Sequence, residues 1–253
     1  CPKGISSYIN ELEHQIKNLS QIGVSLSKEK NMDILLETIL KEAKRITNSD
    51  GGTLYMMTDD NRLSFEIMMT DSLGIHYGGT SPKQVPDYIY PVKLYDPKTN
   101  EPNHGNVSAY TALTGETVNI EDAYKEDGFD FSGTKGFDKK QGYKSISFLT
   151  CPMRNHENEI IGVLQLLNPK NTNTGHVIPF SKQVQDMVEG LASQAAVAIT
   201  NKNLISELKT LFESFIKLIA TAIDRKSEYT GGHCERVPLI TMMLADAVEK
   251  INY

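Results

Sequence analysis

Cysteine is scarce in this chain: three occur in 253 residues, at positions 1, 151 and 234. Their odd number and wide spacing exclude a disulfide framework and metal-type cysteine pairs, and point to a reduced, cytoplasmic setting. Basic charge is also short. Twenty-six Lys and Arg stand against 32 Asp and Glu, a net charge of −6, so the basic face of a nucleic-acid binder is not expected. No apolar run approaches the roughly 20 residues that span a bilayer. Cys1-Pro-Lys-Gly does not open a signal peptide. There is no Walker-type glycine loop, no Gly-x-Ser-x-Gly and no Gly-Gly-Asp-Glu-Phe. The acidic stretch Glu121, Asp122, Glu126, Asp127, Asp130 lacks the alternating ligands and glycine of a calcium loop and reads as solvated.

What is present is helical periodicity at both ends and strand patterning between. Ile9, Leu12, Ile16 and Leu19 repeat at 3, 4 and 3. That predicts a helix whose stripe packs on its own domain or on a second copy. After Asn31, the residues Ile34, Leu35, Ile39, Leu40, Ala43 and Ile46 form the apolar face of a second helix, and Asn48-Ser49-Asp50-Gly51-Gly52 stops it. Strands are expected at 53–58 and 63–69 around the turn Asp59-Asp60-Asn61, and at 89–94, 117–120, 146–153 and 159–167. Gly162, inside the last, calls for a bulge or a close backbone approach. A short helix over 108–114 ends at Gly115, while 121–142 reads as irregular. From Lys182 to Arg225 there is no proline. Leu204, Leu208, Leu211, Phe215, Leu218 and Ala222 repeat there at 4 and 3, flanked every seventh residue by Ile205, Phe212 and Ile219. This predicts a parallel coiled-coil linker or a helix buried against a further domain. The order of elements is α+β, an antiparallel sheet flanked by helices, with long helices at both ends.

Several stretches carry a resemblance. Asn106 to Tyr124, Asp138 to Ser145, Cys151-Pro-Met-Arg-Asn and Ile160 to Asn168 resemble a GAF domain of the cyclic-nucleotide phosphodiesterase and cyclase type. The resemblance implies a sensory domain over 31–200 between an N-terminal helix (1–30) and a linker helix (201–226). It also implies a ligand pocket. Val107 and Ser108 would sit at the N-terminus of the short helix that meets a phosphate. Gln141 and Ser145 fall where the family places two threonines facing the ligand, and Gln165 would reach the base from the sheet. The family signature Asn-Lys, then Phe, three residues, Asp-Glu is only partly kept. Asn168 and Phe180 match, but Pro169 stands for Lys and Val184-Gln185 for Asp-Glu, so its salt bridge is not expected. The pocket is then read as taking a cyclic nucleotide, another small molecule, or nothing.

From Ala220 the run Ala-Thr-Ala-Ile-Asp-Arg-Lys-Ser-Glu-Tyr-Thr-Gly-Gly-His-Cys-Glu-Arg-Val resembles the opening of an HD-GYP domain. That family hydrolyses cyclic di-GMP. The resemblance makes 227–253 the start of such a domain and His233 its first metal ligand, with iron or manganese expected in the full-length output. No His-Asp pair occurs in the sequence, and one histidine is short of the three or four ligands a metal needs. Tyr229 stands where some members use a Glu for a third metal. The chain itself is therefore expected to be neither an enzyme nor a cofactor carrier. Its expected partners are a second copy, through Leu204, Leu208, Leu211, Phe215 and Leu218, and a small-molecule or cyclic-nucleotide ligand. His76, His104, His156 and His176 lie in expected loops and read as surface residues. Cys151 reads as a buried, inert thiol, which argues against the cysteine-dependent sulfoxide reductases of the same fold.

Overall fold

A computed structural model describes residues 17, 20–226 and 233–251, and two compact units divide the chain after Asn201. The apolar stripe Ile9 to Leu19 lies outside the described residues. In the first unit, α1 (20–28) and α2 (Met32–Thr47) precede β1 (Ser49–Met57), β2 (Arg62–Thr70) and β3 (Ile75–Gly78). Then come β4 (Val92–Lys93), α3 (Val107–Thr114), β5 (Val118–Ile120) and α4 (Ser132–Gln141). β6 (Phe148–Arg154) and β7 (Ile160–Pro169) follow, and the long α5 (Lys182–Lys226) begins in the first unit and continues past Asn201 into the second. The strands form one sheet in the order β3-β2-β1-β7-β6-β5, with β4 beside β2 and every pair antiparallel. In the second unit, α6 spans His233–Ile251.

α2 begins where the Asn31 side chain accepts a hydrogen bond from the Ile34 amide at 3.1 Å, and it ends at Asn48 in the left-handed region. Its buried face runs through Leu35, Leu36, Ile39, Leu40 and Ala43. Leu36 takes the place expected of Ile34, which is 40% exposed, because Leu36, Leu40 and Ala43 share one stripe that Ile34 leaves. The expected stop at Gly51-Gly52 is not one: both glycines lie within β1. A Cβ on Gly52 would come 2.8 Å from the Leu40 Cδ1 atom. Glycine there lets α2 lie close on the sheet. Gly162 has the anticipated cause, since a Cβ would collide with the Tyr55 carbonyl of the neighbouring strand.

One face of the sheet carries the main core. Leu54, Leu149, Leu164 and Leu166 pack there with Leu26, Ile39, Leu40, Val188 and Leu191 from three helices. Burying each such side chain contributes roughly 1.5–3 kcal/mol. The other face is covered by α3 and by residues from the long connections. Tyr55, Leu63, Leu94 and Ala109 form one cluster there, and Val107, Ile120, Phe131 and Phe148 form another.

Three expectations need correction. The strand expected at 89–94 shrinks to Val92–Lys93. Pro91 has no amide to donate, and the Ile89 amide closes a turn onto the Pro86 carbonyl. β6 starts at Phe148 rather than Ile146, because the Ile146 and Ser147 amides donate to the Asn168 side chain instead of to a strand. The stretch 121–142 contains α4, which has no apolar stripe. Its buried residue is Asp138, so hydrogen bonds rather than periodicity hold it.

Candidate functional site

The outer face of the sheet is polar at its centre. Antiparallel register places Thr53 of β1, Gln165 of β7 and Thr150 of β6 in one cross-strand row. α3 lies over this row. The Gln165 amide donates to the Ser108 hydroxyl at 3.2 Å and to the Thr150 hydroxyl at 3.1 Å. Its carbonyl oxygen accepts from the Tyr55 hydroxyl at 3.3 Å. Burial pushes the Tyr55 phenol up to about 12, with hydrogen bonding to Ser108 and Thr53 acting in the opposite direction. The phenol therefore stays neutral, a donor as well as an acceptor. Thr111, one turn along α3 and fully buried, has a hydroxyl with no partner. Such a group costs on the order of 1–3 kcal/mol unless something pairs with it. The side chains that join this polar floor are hydroxyls and one amide, so it can orient a neutral polar group by hydrogen bonds.

The five pocket residues expected from the sequence divide. Val107, Ser108 and Gln165 come together, with Val107 and Ser108 opening α3. The amides a phosphate would use are already engaged: the Asn106 side chain accepts from Ser108 at 3.0 Å and from Ala109 at 3.1 Å. Ser145 is buried against Asp138, to which its amide donates at 2.7 Å and its hydroxyl at 2.9 Å. Asp138 also accepts from the Tyr124 hydroxyl at 2.7 Å, so Ser145 serves to hold α4. Gln141 ends α4 and is exposed. Thr53, Tyr55, Thr111 and Thr150 were not singled out in the sequence. Their signal was a polar residue on a strand or helix whose neighbours are all apolar.

The altered signature has a structural answer. Lys170, one residue beyond the expected lysine, reaches Asp50 at 2.5 Å. Asp50 also accepts from the hydroxyls of Ser72 and Tyr143 at 2.6 Å each. Burial raises the Asp50 carboxyl, but the bonds from Lys170, Ser72 and Tyr143 outweigh it and hold the group below the usual range. Asn168 accepts from the Ile146 amide at 2.8 Å and donates to the Tyr143 hydroxyl at 2.9 Å. Gln185, where the signature has Glu, accepts from the Asn119 side chain at 3.1 Å. The ion pair is thus moved from α5 to β1.

Away from the polar row, an open groove of about 410 Å³ lies at the C-terminal end of α2 beside Lys41, Lys44, Arg45 and His76. Its cations are paired: Lys44 with Asp71 at 2.5 Å, Lys41 with Glu37 at 2.5 Å, Arg45 with Glu42 at 2.7 Å. A helix C-terminus also disfavours anions, so the groove is not an anion site. Cys151 is fully buried and burial pushes its thiol up to about 12, which makes it unreactive.

The GAF domain family model matches residues 31–199. The chain belongs to the GAF domain family. This GAF chain is 31% identical over 124 residues to the dual 3′,5′-cyclic-AMP and -GMP phosphodiesterase 11A of Takifugu rubripes, covering 49% of this chain and 13% of that protein. It is 34% identical over 98 residues to the dual 3′,5′-cyclic-AMP and -GMP phosphodiesterase 11 of Drosophila melanogaster, covering 39% of this chain and 6% of that protein. The chain thus spans a small fraction of the length of these relatives. Among solved structures, the GAF domain of an Acinetobacter phosphoenolpyruvate-protein phosphotransferase superposes with a TM-score of 0.54 at 16% identity, covering 77% of this chain and 98% of that one. That likeness shows the fold. Among the described residues, no three His, Cys, Asp or Glu side chains cluster to hold a metal ion, and no helix is long and apolar enough to cross a membrane. The backbone of His233 opens α6, and its side chain lies outside what is described.

Proposed function

We propose that this GAF domain is the cytoplasmic sensory part of a signalling protein. A small ligand held on the Thr53–Gln165–Thr150 floor under α3 biases the pairing of α5 between two copies. The paired helices pass that bias to an HD-GYP output domain that hydrolyses cyclic di-GMP. The observation that carries this reading is the row of neutral hydrogen-bonding groups Thr53, Gln165 and Thr150 under α3, a helix whose buried Thr111 hydroxyl has no partner, inside a domain of a regulatory family. The apolar positions of α5 support the dimer, because Leu208, Leu211 and Leu218 are each about two-thirds exposed. α6 supports the output reading. It exposes Val237, Ile240, Leu244 and Val248, as the first helix of a larger helical core would.

The ligand is a cyclic nucleotide or another small polar molecule. The relatives named as cyclic-nucleotide phosphodiesterases favour the first, and the capped α3 amides favour a ligand bound without them. Thermal unfolding against cyclic mono- and dinucleotides, nucleosides and purine bases tests this. A ligand at 100 times its dissociation constant adds about 2.7 kcal/mol to folded stability. A midpoint raised by one compound in the wild type but not in Gln165→Leu supports the reading. A flat panel supports the second reading, a ligand-free dimerisation module. The Gln165 side chain, whose bonds go to Tyr55, Ser108 and Thr150, is the observation in that reading's favour. Leu208→Asp tests the helix, since the variant is expected to be a monomer in light scattering. Phosphodiesterase activity in this chain with added manganese, lost in His233→Ala, would overturn the assignment of catalysis to a further domain.

A further inference from the structure

The seam of α5 has a polar residue where strand number is decided. With Leu208 and Phe215 as a positions and Leu204, Leu211 and Leu218 as d positions, the repeat carried back one heptad from Leu208 puts Asn201 at a. Asn201 is helical and exposed. The later a positions, Leu208, Phe215 and Ala222, are all apolar. The flanking e positions, Ile205, Phe212 and Ile219, are apolar as well, so the face is three positions wide in each heptad. A face that broad, with leucine at d throughout, does not by itself select two strands. Nor do charges set the orientation. The g positions are Glu207, Ser214 and Thr221, and in a parallel pair they face the apolar e residues.

We propose that the α5 helices of two copies pair in parallel and in register, and that Asn201 restricts the pairing to two strands. The proposal rests on the dimer reading above and names the residue that specifies it. The exposed area suits a second copy. The eight large a, d and e side chains from Leu204 to Ile219 are 43–67% exposed. At about 200 Å² for a whole side chain they offer on the order of 900 Å² per copy, against about 800 Å² per partner in a stable interface. In an in-register parallel pair the two Asn201 amides meet, and each donates to the other's carbonyl. In an antiparallel or slipped pair each would face an apolar side chain unpaired, and in a parallel bundle of three the amides of one layer could not all pair one to one, which disfavours those states.

The test compares Asn201→Leu with the wild type, using the full chain in both cases. Light scattering over a hundredfold concentration range and thermal unfolding are read for each. A wild type that stops at the dimer, with a variant that melts higher and forms species above the dimer, supports the proposal. A variant that stays strictly dimeric overturns it while leaving the dimer reading intact. A wild type that is monomeric throughout overturns both. A second readout checks register. With Cys1 and Cys234 changed to serine, Leu211→Cys copies are expected to cross-link to one another. Leu204→Cys and Leu211→Cys copies, mixed, are expected to cross-link several-fold less unless Asn201→Leu is also present. Equal mixed cross-linking with Asn201 in place overturns the register assignment.

Discussion

Replacing Glu37 by glutamine should remove a defined part of the acid sensitivity of folding. Glu37 lies on the buried face of α2, and its carboxylate accepts from the Thr80 amide at 2.8 Å, from the Thr80 hydroxyl, and from Lys41 at 2.5 Å. Burial alone would raise this carboxyl, but the bonds from Lys41 and Thr80 reverse the effect and lower it to about 2. A carboxylate whose folded-state value lies below its unfolded value of 4.5 stabilises the fold at neutral pH, and that stability fades as pH falls from about 5 towards 2. The difference is worth about 3 kcal/mol at pH 7 and about 1.4 kcal/mol at pH 3. For a domain of this size each kcal/mol moves the melting midpoint by roughly 2–4 °C. The gap between wild type and Glu37→Gln should then be about 6–12 °C at pH 7 and less than half that at pH 3. Circular dichroism melts from pH 7 to pH 2.5 measure it. Asp50, also held low, titrates in both proteins and cancels in the difference. A gap that does not shrink on acidification would refute the assignment of this stability to the ionised carboxylate.

Other changes probe the sheet and the site. Gln165→Leu leaves the hydroxyls of Tyr55, Ser108 and Thr150 short of a partner, and should cost about 1–3 kcal/mol in denaturant unfolding. Gly52→Ala drives a methyl into Leu40 and the Gln165 carbonyl, and should cost about 1–3 kcal/mol through overpacking. Tyr143→Phe removes one of the donors to Asp50, so hydrogen exchange after α4, over 143–147, should quicken at least severalfold with little change elsewhere. Cys151, buried with a raised thiol, should react with iodoacetamide at pH 8 only after denaturant unfolds the domain. Labelling in the folded state would contradict its burial.

Much of the fold was legible because its signals are local. Asn31 and Asn48 bracket α2 by capping chemistry, the Asp59-Asp60-Asn61 turn separates β1 from β2, and α5 shows as a proline-free stretch with heptads over its later part, Leu204 to Ala222. Motif-level resemblance carried the rest of the domain, from Asn106 to Asn168. What stayed hidden had no local pattern. α4 has no apolar stripe, since Asp138 is held by Tyr124 and Ser145 from flanking segments. β3 is four residues long, too short to show a period. Gly51-Gly52 looks like a stop in the sequence and is a packing device in the sheet.

The site divides along the same line. The sequence alone determined that a short helix runs over 108–114 and ends at Gly115, that Gln165 sits mid-strand, and that the later part of α5 repeats in heptads, because turn chemistry and periodicity act over a few residues; family resemblance added Val107 and Ser108 at the start of that helix. Only the tertiary structure decided which polar groups meet. Strand register over more than a hundred residues brings Thr53 and Tyr55 to Gln165. The end of β7 brings Lys170 to Asp50 in place of the missing signature lysine. Gln141 and Ser145, four residues apart, part company because one is the exposed last residue of α4 while the other binds Asp138. Contacts between residues far apart in the chain are chosen by register and burial, and those are properties of the whole sheet.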